Sequence, residues 1–302
     1  MVDRTVTTQI DVQKCTGCGL CINVCPSETL ALKEGKAAVV GNQSLSCGHC
    51  MAVCPESAIQ VGAIDPAMTR FNTFKLDSRW LAPGKSSPAE LSRLMASRRS
   101  CRNYLPENVD MKVLEDLVKI GSLAASGTNS QQWTYTCLAK RSRVEFLGSL
   151  IKQYFKKLNS TARNPVLRRG LKLMGKKELD GYYRDYYESV EEAIALMETQ
   201  GIDRLFHGAP ALIIIGSKPD ASCPAEDALL ATGNILLGAH AMGLGTCLIG
   251  FAVNAMKRDT SIQDRIGIPG DEQIYSVIAL GYPDEIYRTV TGRKKATMRV
   301  LD

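Results

Sequence analysis

Seven of the eleven cysteines of this 302-residue chain lie between Cys15 and Cys54, at gaps short enough to bring several thiolates onto one loop. The first run reads Cys15-x2-Cys18-x2-Cys21-x3-Cys25-Pro26. Thiolates are soft, anionic ligands, suited to iron and zinc rather than to magnesium or calcium. Gly17 and Gly19 permit a tight backbone between them, and Pro26 turns the chain after the last cysteine. A shift of 29 residues brings the pattern back: Cys18, Cys21 and Cys25 map onto Cys47, Cys50 and Cys54, with Gly19 on Gly48 and Pro26 on Pro55. Cys15 alone loses its counterpart, because Ser44 stands at that place. Zinc sites seldom use two interleaved triplets, so iron–sulfur chemistry is expected. Disulfides are not, because the cysteines are clustered and no secretory signal is readable in MVDRTVTTQIDV; a cytoplasmic location is the expectation.

The repeat resembles the two-cluster bacterial ferredoxin module over about residues 5–64. In that module the fourth cysteine of each run reaches the other cluster. The resemblance implies one [4Fe-4S] cluster on Cys15, Cys18, Cys21 and Cys54, and a second cluster on Cys25, Cys47 and Cys50. Serine is a harder and far less acidic ligand than cysteine. Three outcomes therefore stand open for the second site: a [4Fe-4S] cluster with Ser44 or another group on one iron, a [3Fe-4S] cluster, or none.

The remaining chain must supply a use for those electrons. Its composition is that of an ordinary globular protein, 45% hydrophobic and 23% charged, and no apolar run approaches the length of a membrane span. Residues 65–87 have no periodicity and several turn formers, and read as a linker between residues 1–64 and 88–302. Ser87-Pro88-Ala89-Glu90 is a helix start with a capping box, and Asp110 caps a second amphipathic helix. The segments at 133–139, 210–216, 246–250 and 273–281 read as strands, and the Ala- and Gly-rich stretch 224–245 as a long helix. Helices and strands alternate without a regular βαβ rhythm, so the fold class is α+β. No G-x-G-x-x-G follows a strand, so no dedicated nicotinamide domain is expected.

Four segments in this region, taken in order, resemble the nitroreductase family of flavoenzymes, which implies an α-β-α sandwich binding FMN behind the N-terminal iron–sulfur domain. Arg98-Arg99-Ser100-Cys101-Arg102-Asn103-Tyr104 is similar to the family's opening motif, and implies Arg98, Ser100 and Arg102 at the flavin phosphate and ribityl chain. Ser126-Gly127-Thr128-Asn129-Ser130-Gln131-Gln132-Trp133 is similar to its P-S-x-x-N-x-Q-P-W loop, with Ala125 and Gln132 in place of the prolines. That match implies Ser126, Gly127, Asn129 and Gln131 as flavin contacts. Gly243 to Phe251 implies Leu248, Ile249 and Gly250 at the ring, and Gly292-Arg293-Lys294-Lys295 implies Arg293 and Lys294 closing on the phosphate.

The family's usual homodimer, with FMN shared between subunits, is the further implication. The function expected is reduction of small electron-poor acceptors (nitroaromatics, quinones, enones or halogenated rings) with electrons relayed through the clusters. The external donor is left open among ferredoxin, flavodoxin and NAD(P)H. The alternative is a flavin and iron–sulfur protein that carries or senses electrons without a small substrate. Twelve Lys/Arg against the single acid Glu145 between Lys140 and Lys177 read either as a helix pair whose charges compensate or as a docking face for an acidic carrier. No nucleic-acid motif accompanies the charge. His49, His207 and His240 are too isolated to suggest a site; the tyrosines at 182, 183, 186 and 187 lie where the resemblance implies a variable substrate lid, and read as packing by default.

Overall fold

The structure, a computed structural model, describes residues 3–301; residues 1, 2 and 302, the outer ends of the two expected domains, lie outside them. The N-terminal part contains β1 (Thr8–Ile10), α1 (Leu20–Asn23), β2 (Leu30–Lys33), β3 (Lys36–Val39), α2 (His49–Val53) and β4 (Ile59–Val61). β1 pairs antiparallel with β4, closing the module end to end, and β2 pairs with β3 as a hairpin. The internal repeat is a repeat of backbone as well as of cysteines. α1 and α2 each follow a glycine in the left-handed region, Gly19 at φ 77° and Gly48 at φ 74°. Any side chain there would be strained, which is why glycine recurs at both positions. Leu30, Ala37, Ala58 and Ile59 make a small core around Cys15 and Cys21.

The connector between the two parts is anchored at its start. Asp65 caps a 3₁₀ turn, Pro66–Thr69, and the chain is then fixed along α4 (Met111–Gly121). The buried Asp116 carboxylate accepts hydrogen bonds from the Asn72 and Thr73 amides and the Thr73 hydroxyl, each at 2.7 Å. Phe71 stacks on Phe74 with centroids 4.4 Å apart. Backbone donors and one buried acid do this anchoring, and neither leaves a hydrophobic period in the sequence.

Beyond α3 (Pro88–Ser97) and α4 come β5 (Trp133–Leu138), α5 (Arg141–Ala162), α6 (Pro165–Leu173), α7 (Glu178–Asp185), α8 (Tyr187–Gln200), β6 (Ala211–Ser217), α9 (Pro224–Ala241), β7 (Gly245–Leu248), α10 (Gly250–Arg258), α11 (Ser261–Ile266) and β8 (Gln273–Gly281). The sheet order is β5-β6-β8-β7, antiparallel throughout. Every residue of β6 is buried, so its apolar run is continuous and serves both faces. Ile213 and Ile215 meet Leu114, Leu117 and Ile235 of α4 and α9 on one side. Leu212 and Ile214 meet Leu147, Ile151 and Met256 of α5 and α10 on the other. The result is an α-β-α sandwich. Two boundaries fall short of their sequence reading: α9 ends at Ala241, and β7 ends at Leu248 so that Gly250 opens α10.

Glu145 of α5 itself and acids of α8 and its flank answer part of the basic run along α5. Arg141 pairs with Glu145 and Asp203, Lys152 and Lys156 with Glu198, and Arg163 with Glu191. The pairs of Lys152, Lys156 and Arg163 join α8 to α5.

Candidate functional site

The cysteines gather into two groups around two small cavities. Cys15, Cys18, Cys21 and Cys54 line one. Cys25, Cys47 and Cys50 line the other, together with Ser44. Among the described residues no three His, Cys, Asp or Glu side chains converge tightly enough for a single metal ion. Thiolates spread around a cavity suit a multi-atom cluster better than a mononuclear ion, so the residues present fit iron–sulfur groups. Their surroundings are tuned for ligation. The Ala37 amide, 3.4 Å from the Cys15 sulfur, and the Gly17 amide hold that thiol below its ordinary pKa. Burial pushes the Cys21 and Cys50 thiols up, a cost that iron binding offsets because a coordinated thiol is deprotonated. Ser44 is held in place on both sides: its amide donates to the Arg4 carbonyl at 2.9 Å, and its hydroxyl accepts from the Ser46 amide at 3.0 Å.

Residues 98–105 form an irregular ribbon between β7 and the chain following β8. Ser100 bridges Thr246, the Cys101 amide donates to the Thr246 carbonyl at 2.8 Å, and the Leu105 amide donates to the Tyr282 carbonyl at 2.9 Å. Arg99 reaches Thr291 at 3.1 Å, which draws the C-terminal segment bearing Arg293 and Lys294 toward the same ribbon. Among the described residues no carboxylate lies within ion-pair distance of Arg98, Arg102, Arg293 or Lys294. Cations left unpaired beside exposed chain suit an anionic group such as a phosphate.

Arg102 also lines a cavity of about 890 Å³ that includes Leu248, Ile249, Gly250 and Phe251. Aromatic side chains line it as well: Phe155, Tyr182 and Tyr186. Phe251 meets Phe155 and Tyr186 edge-on, at 5.6 and 5.7 Å. The Tyr182 hydroxyl donates to Asn159 at 2.5 Å, and burial pushes its pKa up, so it stays a neutral phenol. His207 lines the cavity as well, with its backbone at φ 57°. Burial first, and then the nearby Arg102 charge, pull its pKa down and keep the imidazole neutral. Phe155 and His207 were not site candidates from the sequence, whereas Tyr182 and Tyr186 fall in the segment whose resemblance implied a substrate lid. Tyrosine and phenylalanine on separate helices carry no motif, and only the lone His207 before Gly208 hints at a turn.

The loop from Ser126 to Gln131 is built differently. Thr128, Asn129 and Gln131 all have positive φ, at 52°, 56° and 48°. Such conformations persist only when surroundings enforce them. The buried Asp227, in the first turn of α9, does so by accepting from the Gly127 amide at 2.8 Å and the Ser130 hydroxyl at 3.1 Å. The Gln131 amide donates to the Ser126 hydroxyl at 3.1 Å.

The structure does not bring this loop to Arg98, Ser100 and Arg102 of the same chain. Trp133, at the loop's end, lies level with Ser217 and Gln273, whereas Thr246, beside Ser100, lies level with Leu280. Seven residues along β8 separate those levels, about 24 Å at strand rise. The loop instead meets the cysteine module. Asn129 Nδ2 donates to the Leu45 and Ser46 carbonyls at 3.0 and 3.2 Å, and Arg4 donates to the Thr128 carbonyl at 3.3 Å.

Comparisons with known proteins agree with this two-part architecture. Residues 95–282 match the nitroreductase family and residues 14–59 a 4Fe-4S dicluster domain. The chain belongs to the nitroreductase family: it is a flavin-dependent oxidoreductase of that class, preceded by a 4Fe-4S dicluster domain. An iodotyrosine deiodinase from Nematostella vectensis is 23% identical over 66% of this chain and 69% of its own. A 4-nitrobenzoate reductase from Nocardioides sp. is 26% identical over 63% of this chain and 79% of its own. Among solved structures, the FMN-bound nitroreductase from Bacteroides fragilis superposes with a TM-score of 0.53 at 20% identity, covering 70% of this chain and 98% of that one. No helix among the described residues is long and apolar enough to cross a membrane.

Proposed function

We propose that this protein reduces small, planar, electron-poor acceptors on a bound FMN, using electrons relayed through two iron–sulfur clusters. The observation that carries the reading is the cavity of about 890 Å³, lined by unpaired Arg102 and by the aromatic side chains Phe155, Phe251, Tyr182 and Tyr186. A carrier without a small substrate has no need of an aromatic wall facing its flavin. When bound, FMN supplies an acceptor of single electrons that can deliver a hydride. Arg98, Ser100 and Arg102 hold the phosphate and ribityl chain, with Arg293 and Lys294 closing over it. Leu248, Ile249 and Gly250 present backbone and apolar surface to the ring. The aromatic wall excludes water and stacks the acceptor. Nitroaromatic acids suit these aromatic side chains and the Lys176 cation in the same lining, and two relatives are 4-nitrobenzoate reductases.

The first cluster, a [4Fe-4S], takes Cys15, Cys18, Cys21 and Cys54; the second takes Cys25, Cys47, Cys50 and, on one iron, Ser44. The domain division runs 1–64, 65–87 and 88–302, with the middle segment acting as an anchored strap. The active form is a homodimer, because Ser126, Gly127, Asn129 and Gln131 lie too far from the same chain's cradle to share its flavin. The exposed apolar residues Leu229 and Leu230 on α9, and Val300 and Leu301 at the chain end, give a second copy surface to bury.

The test is anaerobic. Protein containing FMN, iron and sulfide is reduced and then mixed with 4-nitrobenzoate, a quinone and an iodophenol in turn. Reoxidation over many turnovers with at least one acceptor is expected. Reoxidation by every acceptor no faster than by buffer would establish the carrier reading instead.

A further inference from the structure

The second cluster site, the one containing Ser44, touches the loop that the proposed reading gives to the partner's flavin. Leu45 and Ser46 immediately precede the ligand Cys47 in sequence, and their carbonyls accept both amide hydrogens of Asn129. The Asn129 carbonyl oxygen in turn accepts from Gln131 Nε2 at 3.0 Å. One side chain thus ties the cluster loop to the flavin loop through two bonds, is itself braced by Gln131 within its own loop, and Arg4 to Thr128 adds a third contact across the junction at 3.3 Å. The cavity lined by Cys15, Cys18, Cys21 and Cys54 has no residue in this junction. Among the described residues no hydrogen bond joins the cysteine module to Arg98, Ser100, Arg102 or β7. The connector leaves the module along α4 and is held there by Asp116, so the junction is anchored at both ends.

We propose that electrons cross between subunits: the Ser44-containing cluster of one chain reduces the flavin cradled by Arg98 and Arg102 of its partner, across the Asn129 junction. The first cluster is then the entry point from outside, and the serine-altered cluster the exit. Each crossing removes one electron from the cluster held by Cys25, Cys47 and Cys50 and adds one to the flavin. Two crossings and two protons from solvent complete the flavin's reduction, and an external one-electron donor restores the clusters. The inference rests on the FMN homodimer proposed above, and adds to it the direction and partner of transfer.

Two mixed dimers, made by co-expression with different tags, decide it. In the first, one chain carries Cys47→Ala and Cys50→Ala while the other carries Arg98→Ala and Arg102→Ala. Its one intact cradle faces the loop of the chain with intact clusters. In the second, all four substitutions sit on one chain and the other is unaltered. A reduced small ferredoxin serves as donor, being too large to enter the flavin cavity. FMN content and dimer mass are measured first, then flavin bleaching by rapid mixing. Fast bleaching in the first dimer and its loss in the second are expected. The opposite pattern, or equal rates in both, would overturn transfer between subunits. A wild-type chain that is monomeric or binds no FMN would overturn the homodimer reading itself, a distinct failure.

A readout independent of electron flow accompanies this. Asn129→Ala in the unaltered homodimer should raise amide hydrogen exchange across residues 44–48 and leave exchange across β1 and β4 unchanged. No change at 44–48 would remove Asn129 from the junction.

Discussion

Replacing Asp116 by asparagine should release the connector from α4. The carboxylate accepts three short bonds, from the Asn72 amide, the Thr73 amide and the Thr73 hydroxyl, each 2.7 Å long. Asparagine keeps one accepting oxygen and turns an NH₂ toward the remaining donors, so at least one donor loses its acceptor. A hydrogen bond to a charged group is worth about 1.5–3 kcal/mol, and the loss should lower the local opening free energy by about 2–3 kcal/mol. That corresponds to a roughly 30- to 150-fold rise in amide exchange for a peptide covering residues 71–74. Hydrogen exchange with mass spectrometry reads this segment directly, without assuming that a multidomain cofactor protein unfolds in one step. The pH dependence gives a second check. Burial pushes the Asp116 carboxyl up, but the bonds from Asn72 and Thr73 outweigh it and hold the folded value below the ordinary one. A depressed folded pKa means the anchor is complete above the unfolded value near ~4 and weakens as pH falls through the folded value. The wild-type segment should therefore approach the exchange of Asp116→Asn only in acid. A change of less than about threefold at neutral pH, where the bonds predict a far larger opening, would refute the assignment of Asp116 as the connector's anchor.

Other perturbations reach the sites themselves. Ser44→Cys should slow iron loss to a chelator, because a thiolate binds iron more firmly than a hydroxyl does; identical loss curves would remove Ser44 from the second cluster. Asp227→Asn should loosen the Gly127 and Ser130 contacts and weaken FMN binding about tenfold, the effect of roughly 1.4 kcal/mol. Fluorescence titration measures it, and an unchanged affinity would mean the loop is held by other contacts. Phe251→Ala opens the wall at Phe155 and Tyr186, and should raise KM for aromatic acceptors more than for a small enone. An equal rise for both would argue against stacking.

What the sequence disclosed and what it hid divide along a physical line. Most ligands of each cluster come from one short run, with a single cysteine crossing from the other run, so their spacing survives as text, and Ser44 could be located by a shift of 29 residues. β6 was legible because a strand buried on both faces must be apolar at every position. Asp116 was not, since its partners are two backbone amides and a hydroxyl more than 40 residues away. The aromatic wall escaped for a related reason. Phe155 and Phe251 lie on different helices and meet only when α5 and α10 pack on the same face of the sheet.

Asn129 makes a contact that the sequence did not announce. Its place in a polar loop similar to the nitroreductase flavin loop pointed to a cofactor contact. In the fold, both of its amide hydrogens go to the carbonyls of Leu45 and Ser46. A carbonyl acceptor imposes no residue type at position 45 or 46, so nothing in the cysteine repeat could have announced the contact. The demand falls wholly on position 129, which needs two donors from one planar group and an acceptor for Gln131. Asparagine meets that demand, whereas aspartate would place a charge against two carbonyl oxygens and serine would offer a single donor. With transfer crossing here as proposed, Asn129 is the residue that fixes the distance between the cluster loop and the flavin loop.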